Sequence, residues 1–229
     1  PVLAGMGDIE VPSGTTLDVE AENTVKVNST VSLNCMGRFT ADGTASGKIL
    51  FTSFKDDTAS GDSNADGTAS DPAPGDWRSI VLFGDQNNTA VLRNCEFRYA
   101  GEGSNIYHGG FGWVYRHAGV VIYNCTPTLE DCALTKSGVF GLYVIGSSHP
   151  TLTRVKMDNN ASWAAWQSIA SNSHISNCSA SGNGGNGILL EPGTISDART
   201  WYRSVPYLLS GHTYVSPSAT LTIEPGTVV

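Results

Sequence analysis

The sequence predicts an all-β solenoid, a parallel β-helix, and three observations lead to that prediction. A short apolar pattern recurs every 23 residues, a second apolar pattern runs in phase with it, and corners rich in glycine and asparagine separate the two. A fixed period in the twenties is typical of solenoids, in which each turn buries its apolar face only by stacking on its neighbours.

Both patterns alternate apolar and polar residues, as half-buried strands do, and neither shows a helical period. The first is carried by Leu129, Leu152 and Ile175, and the second by Leu142, Ala165 and Ile188. The signature of leucine-rich repeats and their helical return are both missing. We therefore expect one coil per 23 residues, with successive coils about 4.8 Å apart.

One β-helix domain is expected over residues 1–229, with two insertions. The first is an acidic loop at 55–77. The second is an aromatic loop at 102–117, because Leu92 and Leu129 are 37 residues apart, 14 more than the period.

Five cysteines stand at positions 35, 95, 125, 132 and 178. An odd count at irregular spacing is a poor disulfide framework, and there is no closely spaced pair that would suggest zinc. We expect buried structural thiols, with Cys95 and Cys132 stacked in the interior.

Several segments resemble a known family: 220–229, 49–53, 55–57 and 72–77. They are similar to right-handed parallel β-helix proteins of the pectin-lyase-like superfamily, particularly bacterial surface proteins that carry the β-helix repeat. The resemblance implies a right-handed coil and a secreted or cell-surface location. It implies no single activity, because the superfamily includes lyases, hydrolases, epimerases and adhesins.

A longer repeat joins the two ends of the chain. Residues 11–25 match 215–229 at a constant offset of 204, so that 211–229 resembles 7–25. We expect 211–229 to be the start of a next repeat unit in a tandem array. The alternative is head-to-tail self-association, because open solenoid ends expose strand edges.

The net charge limits the classes of partner that can be expected. Twenty-one acidic and 13 basic residues give a net charge of −8, which argues against a nucleic-acid partner. No apolar run is long enough to cross a bilayer, so membrane insertion is not expected.

The acidic loop predicts a structural calcium site. Oxygen-bearing side chains at alternate positions followed by Gly67 suit a hard cation. The predicted ligands are Asp62, Asn64, Asp66, Thr68 and Asp71. Ala73 stands where an EF-hand has its glutamate, so Asp71, Asp56 or Asp57 would supply the missing carboxylate. The alternative is a solvated loop of Asx-turns.

The aromatic insertion is a candidate glycan site. Tyr107, Trp113, Tyr115 and His117 lie among glycines in a long loop, and aromatic faces with polar neighbours suit sugar rings. The alternative is that these rings fold onto the side of the coil and cover it.

A column of residues is expected to point outward from the second pattern. It consists of Val81, Val121, Tyr143, Trp166 and Leu189. Such a stripe is either a ligand groove, with Tyr143 and Trp166 as further glycan contacts, or a face covered by another segment. We expect the segment at 201–209 to fall out of the repeat and to provide that cover.

Catalytic motifs are not recognisable, and no catalytic residue is assigned. Arg78 and the pair His108 and His117 are the nearest candidates for acid or base groups. The sequence therefore predicts a secreted or cell-surface module that binds a polysaccharide or extracellular matrix, with calcium ordering one loop. The alternatives are a polysaccharide lyase or glycoside hydrolase acting along the outer face, and a structural stalk segment of a large adhesin.

Overall fold

A computed structural model describes residues 2–3, 7–29, 31–108 and 112–229, except the side chains of 2–3, 106–108 and 112–116. These residues wind as a right-handed parallel β-helix, which confirms the predicted fold. Each regular coil passes through three parallel sheets in the same order, named here sheets A, B and C. No helix in the described ranges is long and apolar enough to span a membrane.

The strands of the three sheets are as follows. Sheet A contains Val2–Leu3, Thr24–Val27, Ile49–Ser53, Cys95–Arg98, Ala133–Thr135, Lys156–Asp158 and Ser179–Ser181. Sheet B contains Ile9–Val11, Leu33–Cys35, Ile80–Phe83, Ala118–Tyr123, Phe140–Ile145, Trp163–Gln167, Gly185–Leu190 and Tyr207–Leu209. Sheet C contains Thr16–Val19, Arg38–Asp42, Val91–Arg93, Thr128–Glu130, Thr151–Thr153 and His174–Ser176.

The remaining elements lie outside these three sheets. Gly193–Ile195 pairs with Thr213–Val215, and Arg199–Trp201 pairs with Leu221–Ile223, both in parallel. Ser104–His108 and Gly112–Arg116 form an antiparallel hairpin. A short 3-10 helix spans Asp85–Thr89.

The first sequence pattern covers two sheets, because one residue with a positive φ bends the chain inside it. Asp131, for example, has φ 53° and separates Leu129 on sheet C from Leu134 on sheet A. The equivalent corner residues are Asn94, Asp131, Arg154 and Asn177, with φ between 49° and 53°. Asparagine and aspartate tolerate this left-handed conformation better than most residues do.

The interior is filled by stacks of like residues from successive coils. The rings of Phe51 and Phe97 lie 4.8 Å apart and nearly parallel, and both side chains are buried. A fully buried phenylalanine contributes about 1.5–3 kcal/mol of hydrophobic free energy. The thiols of Cys95 and Cys132 also lie in the interior. They donate hydrogen bonds to the carbonyls of Ala41 and Leu92 on the preceding coil.

The expectation that 201–209 leaves the repeat is wrong. Tyr207–Leu209 continues sheet B, with Tyr207 paired to Ile188 at a shorter spacing of 19 residues. Trp201 and Tyr207 are buried, and their rings stack 5.1 Å apart in the interior. This coil is shorter than its neighbours, so a search for the 23-residue period did not identify it in the sequence.

The segments that match at an offset of 204 share their local structure. Ile9–Val11 and Thr16–Val19 correspond to Thr213–Val215 and Leu221–Ile223. The turns between the strands are also alike: the N–H of Thr15 bonds to Pro12 O at 3.1 Å, and that of Ala219 bonds to Ser216 O at 2.9 Å. The array and head-to-tail hypotheses remain predictions.

Both insertions leave the solenoid at the corner that joins sheet A to sheet B. The acidic loop follows Ile49–Ser53, and the aromatic hairpin follows Cys95–Arg98 one coil later. Trp77 anchors the end of the acidic loop, because its ring is fully buried and Nε1 donates to Arg98 O at 2.9 Å.

Candidate functional site

The outward column on sheet B has the predicted register. Val121 pairs with Tyr143, Tyr143 with Trp166, and Trp166 with Leu189. These side chains belong to a hydrophobic cluster separate from the interior core. The sheet therefore carries apolar residues on both faces, as the alternation indicated.

The aromatic rings of this column stack mainly on one another. Tyr143 lies 5.5 Å from Phe140 and 4.6 Å from Trp166 between ring centroids, with interplanar angles of 17° and 27°. Tyr143 is 7% exposed, whereas Trp166 is only half-buried. Trp166 is therefore the more available of the two predicted rings.

His117 is also part of this aromatic group. Its ring centroid lies 5.6 Å from that of Tyr143 and 6.5 Å from that of Phe140. Burial lowers the pKa of His117 below its ordinary value, and a hydrogen bond with the backbone of Gly103 partly opposes that effect. The imidazole therefore favours the neutral form more strongly than an exposed histidine does.

The described side chains include three of the six predicted glycan contacts. The side chains of Tyr107, Trp113 and Tyr115 lie outside the described residues, although their backbones belong to the hairpin. His117, Tyr143 and Trp166 do lie together.

A groove of about 400 Å³ opens along this face of sheet B, next to Trp166. It is lined by Tyr123, Tyr143, Ile145, Gly146, Trp166, Ser168, Ala170 and Glu191. Its volume lies within the roughly 300–1,000 Å³ range of small-ligand clefts.

Two of the groove residues, Tyr123 and Glu191, were not predicted from the sequence. The signal for them was the same alternation, since Tyr123 stands two positions after Val121 and Glu191 two after Leu189. Glu191 Oε2 accepts the N–H of Ile169 at 3.1 Å, which fixes the carboxylate against the corner. The Ser168 hydroxyl is already bonded to Gly146 O at 2.8 Å.

In the acidic loop, the carboxylates of Asp57, Asp62 and Asp66 converge, with one oxygen of each within 4.8 Å of the others. Asp62 also accepts the backbone N–H groups of Asp66 and Gly67, at 3.3 and 2.9 Å. The loop is thus folded around the Asp62 side chain.

Two buried oxygens of this loop accept no hydrogen bond from the described residues. They are Oδ1 of Asp57 and Oδ1 of Asn64. The pKa of Asp57 is raised above its ordinary value by burial first and then by the negative charges of Asp62 and Asp66, while Lys26 opposes the rise. An added cation would relieve both the repulsion and the unmet acceptors.

The group of converging carboxylates differs in part from the predicted calcium ligands. Asp57, and not Asp71, is the third carboxylate of the group. Asp71 and Thr68 are exposed on the same loop. Asp56 is occupied elsewhere, because it forms an ion pair with Arg98 at 2.6 Å.

Arg78 is engaged in two ion pairs. It contacts Asp8 at 3.0 Å and Glu102 at 2.9 Å, and so ties the first coils to the base of the aromatic insertion. These two ion pairs give Arg78 a structural role, and no catalytic role is needed to account for it.

The stacked parallel sheets define the class of the molecule, the parallel β-helix proteins. The model of the family "Right handed beta helix region" matches residues 78–200, more than half of the chain. The protein belongs to this family. No curated protein and no solved structure matches the chain.

Proposed function

We propose that the protein is a β-helix module of a secreted or cell-surface protein and binds a glycan of the extracellular matrix or cell surface. The observation that carries this proposal is the groove beside Trp166. Sugar rings present apolar C–H faces that pack on aromatic rings, while their hydroxyl groups need a polar rim. Trp166 supplies the ring, and Glu191 with the Tyr123 hydroxyl supplies the rim.

Hydrolysis of the glycan is less well supported than binding. Glycoside hydrolases generally need two carboxyl groups that flank the scissile bond. Among the residues described along this groove, Glu191 is the one carboxylate. A binding groove accounts for this lining without a second acid.

A structural stalk segment is the second candidate. The stacking of Phe140, Tyr143 and Trp166 favours it, because rings that cover one another need no ligand. The two candidates differ at Trp166, which is half-buried and remains able to contact a ligand.

Calcium ordering of the acidic loop is part of the proposal. Three converging carboxylates carry three negative charges, and the buried Lys26 beside them carries one positive charge. The remaining charge of −2 suits one Ca²⁺ ion. Asp57, Asp62 and Asp66 would hold it, and the unmet oxygen of Asn64 on the same loop would add a further oxygen ligand.

The binding proposal is tested by calorimetric titration with a panel of defined oligosaccharides five or six units long. We expect one or more glycans to bind, and Trp166→Ala to weaken that binding at least about fivefold, since ring stacking on a desolvated face is worth about 1 kcal/mol or more. Tyr214→Ala is the matched control, because Tyr214 is an exposed ring that does not line the groove. Binding by no glycan, or binding that survives Trp166→Ala, would favour the stalk.

A further inference from the structure

The charge of the groove beside Trp166 points to one class of glycan. Its described lining contains the Glu191 carboxylate and no lysine or arginine. The whole chain carries a net charge of −8. A polyuronate would therefore bring further negative charge to a carboxylate with nothing in the lining to neutralise it.

Glu191 is held in place and keeps bonding capacity for a ligand. The chain fixes its backbone, because its N–H bonds to Gln167 O at 2.9 Å and Pro192 follows directly. Oε2 accepts the N–H of Ile169, whereas no described residue bonds to Oε1 or forms an ion pair with this carboxylate. A fixed carboxylate oxygen accepts strong, charge-assisted hydrogen bonds from hydroxyl groups.

The other polar group of the rim is compatible with the same ligand. The Tyr123 hydroxyl has no hydrogen bond to the described residues, and its ring packs 5.7 Å from that of Phe83. A hydroxyl both donates and accepts, so it can bond to a second sugar hydroxyl. The groove thus combines an aromatic ring, an anionic acceptor and a neutral donor.

We infer that this groove selects a neutral, hydroxyl-rich glycan over uronic acid polymers, with Glu191 as the residue that determines the selection. The inference rests on the proposed glycan-binding function and adds the class of ligand. Glu191 accepts hydrogen bonds from a pair of neighbouring sugar hydroxyls and repels a uronate carboxylate at the same position.

The test compares pentasaccharides of two charge classes by calorimetric titration: neutral gluco-, manno-, xylo- and galacto-oligosaccharides, and a galacturonate and a mannuronate oligomer. We expect a neutral member to bind at least about tenfold more tightly than either uronate oligomer. Glu191→Gln keeps an acceptor for Ile169 but removes the charge. It should weaken neutral binding about fivefold to tenfold, since a charge-assisted hydrogen bond is roughly twice as strong as a neutral one.

Two further variants, one at Glu191 and one control, test whether the charge of Glu191 determines the selection. Glu191→Lys should shift the preference toward the uronate oligomers, whereas Glu20→Gln, an exposed residue that does not line the groove, should change no affinity. Equal or tighter binding of a uronate oligomer, lost in Trp166→Ala, would overturn the neutral-glycan inference and leave glycan binding standing. No binding of any oligomer would instead refute the proposed function itself.

Discussion

Asp56 and Arg98 form an ion pair beneath the acidic loop, with Nη2 of Arg98 2.6 Å from Oδ2 of a fully buried Asp56 carboxylate. The hydroxyl groups of Thr52 and Thr58 donate to the same carboxylate at 2.5 and 2.6 Å. Burial opposes the ionisation of Asp56, but the hydrogen bonds from Thr52, Thr58 and Arg98, together with the Arg98 charge, hold its pKa below the ordinary value. This pair fastens the start of the loop to sheet A.

Replacement of Asp56 by alanine should destabilise the fold by about 1.5–3 kcal/mol, because it removes the charge-assisted hydrogen bonds of the half-buried Arg98 guanidinium and leaves that group only its ion pair with Glu96. Urea unfolding at pH 7 measures the loss. Asp71→Ala, an exposed change on the same loop, should cost less than about 0.5 kcal/mol.

The same pair predicts a pH dependence. A carboxyl group whose pKa is lowered in the folded state stabilises the fold fully above its unfolded pKa, and this contribution is lost as the pH falls through the folded pKa. Unfolding free energy should therefore decrease below pH 4 more steeply in the wild type than in Asp56→Asn. Parallel pH profiles for the two proteins would show that the pair contributes nothing.

Calcium should raise the thermal midpoint of the protein. A ligand that binds only the folded state stabilises it by about 2.7 kcal/mol at a concentration 100 times its dissociation constant. Asp62→Asn and Asp66→Asn should each reduce the shift strongly, because they remove converging carboxylates, whereas Asp71→Asn should retain it. Thermal unfolding with calcium and with EDTA checks this.

The calcium effect should also depend on pH. Metal binding needs ionised carboxylates, and the raised pKa of Asp57 lets protons compete with the metal above the ordinary range of an aspartate. The shift in midpoint should be full at pH 7 and should shrink as the pH falls toward that raised pKa. A midpoint that does not respond to calcium at pH 7 would refute the calcium site.

The fold was predictable because the coil length of a solenoid appears directly as the period of its sequence. Leu129, Leu152 and Ile175 stack at a constant spacing, and both the interior and the outward columns follow from strand alternation. The third sheet was not predicted, because a single left-handed residue such as Asp131 turns the chain without a recognisable corner. The coil through Trp201 and Tyr207 was missed because its spacing is shorter.

The candidate sites were predictable only in part. Asp62 and Asp66 follow from local spacing, since the loop folds on itself. Glu191 and Tyr123 enter the groove from different coils, and only the register of sheet B brings them to the same face as Trp166. These residues are far apart in the sequence, so their proximity in the groove could not be predicted from it.

Asn87 should be among the most sensitive polar residues of the fold. Its side chain is fully buried, its Nδ2 lies 2.8–3.0 Å from the carbonyls of Cys35, Gly37 and Phe83, and its Oδ1 accepts the N–H of Phe39 at 3.0 Å. Asn87→Ala leaves these backbone groups buried without partners, so we expect a loss of about 2–4 kcal/mol.

The neighbouring Asn88 provides the matched control for Asn87. It is exposed, and its Oδ1 accepts the N–H of Thr126 at 2.8 Å. Asn88→Ala should cost less than about 1 kcal/mol, since water replaces the lost partner. Equal losses in the two variants, measured by urea unfolding, would contradict the role given to Asn87.

The five thiols should be unreactive in the native protein. All are free and buried. Burial raises the pKa of Cys125 to about 12 and also raises the pKa of Cys35 and Cys178, so that the nucleophilic thiolate is scarce at pH 8. For Cys95, a hydrogen bond with Cys132 raises the pKa first and burial adds to it.

Titration with a thiol-specific disulfide reagent at pH 8 checks this expectation. We expect no cysteine to react within minutes in the folded protein and all five to react at once in guanidinium chloride. Thr194→Cys places a thiol on an exposed strand position and should add one fast-reacting group, which shows that the reagent reaches the native surface. Rapid labelling of a native thiol would mean that a coil opens on that timescale, because reaction requires the reagent to reach the interior column.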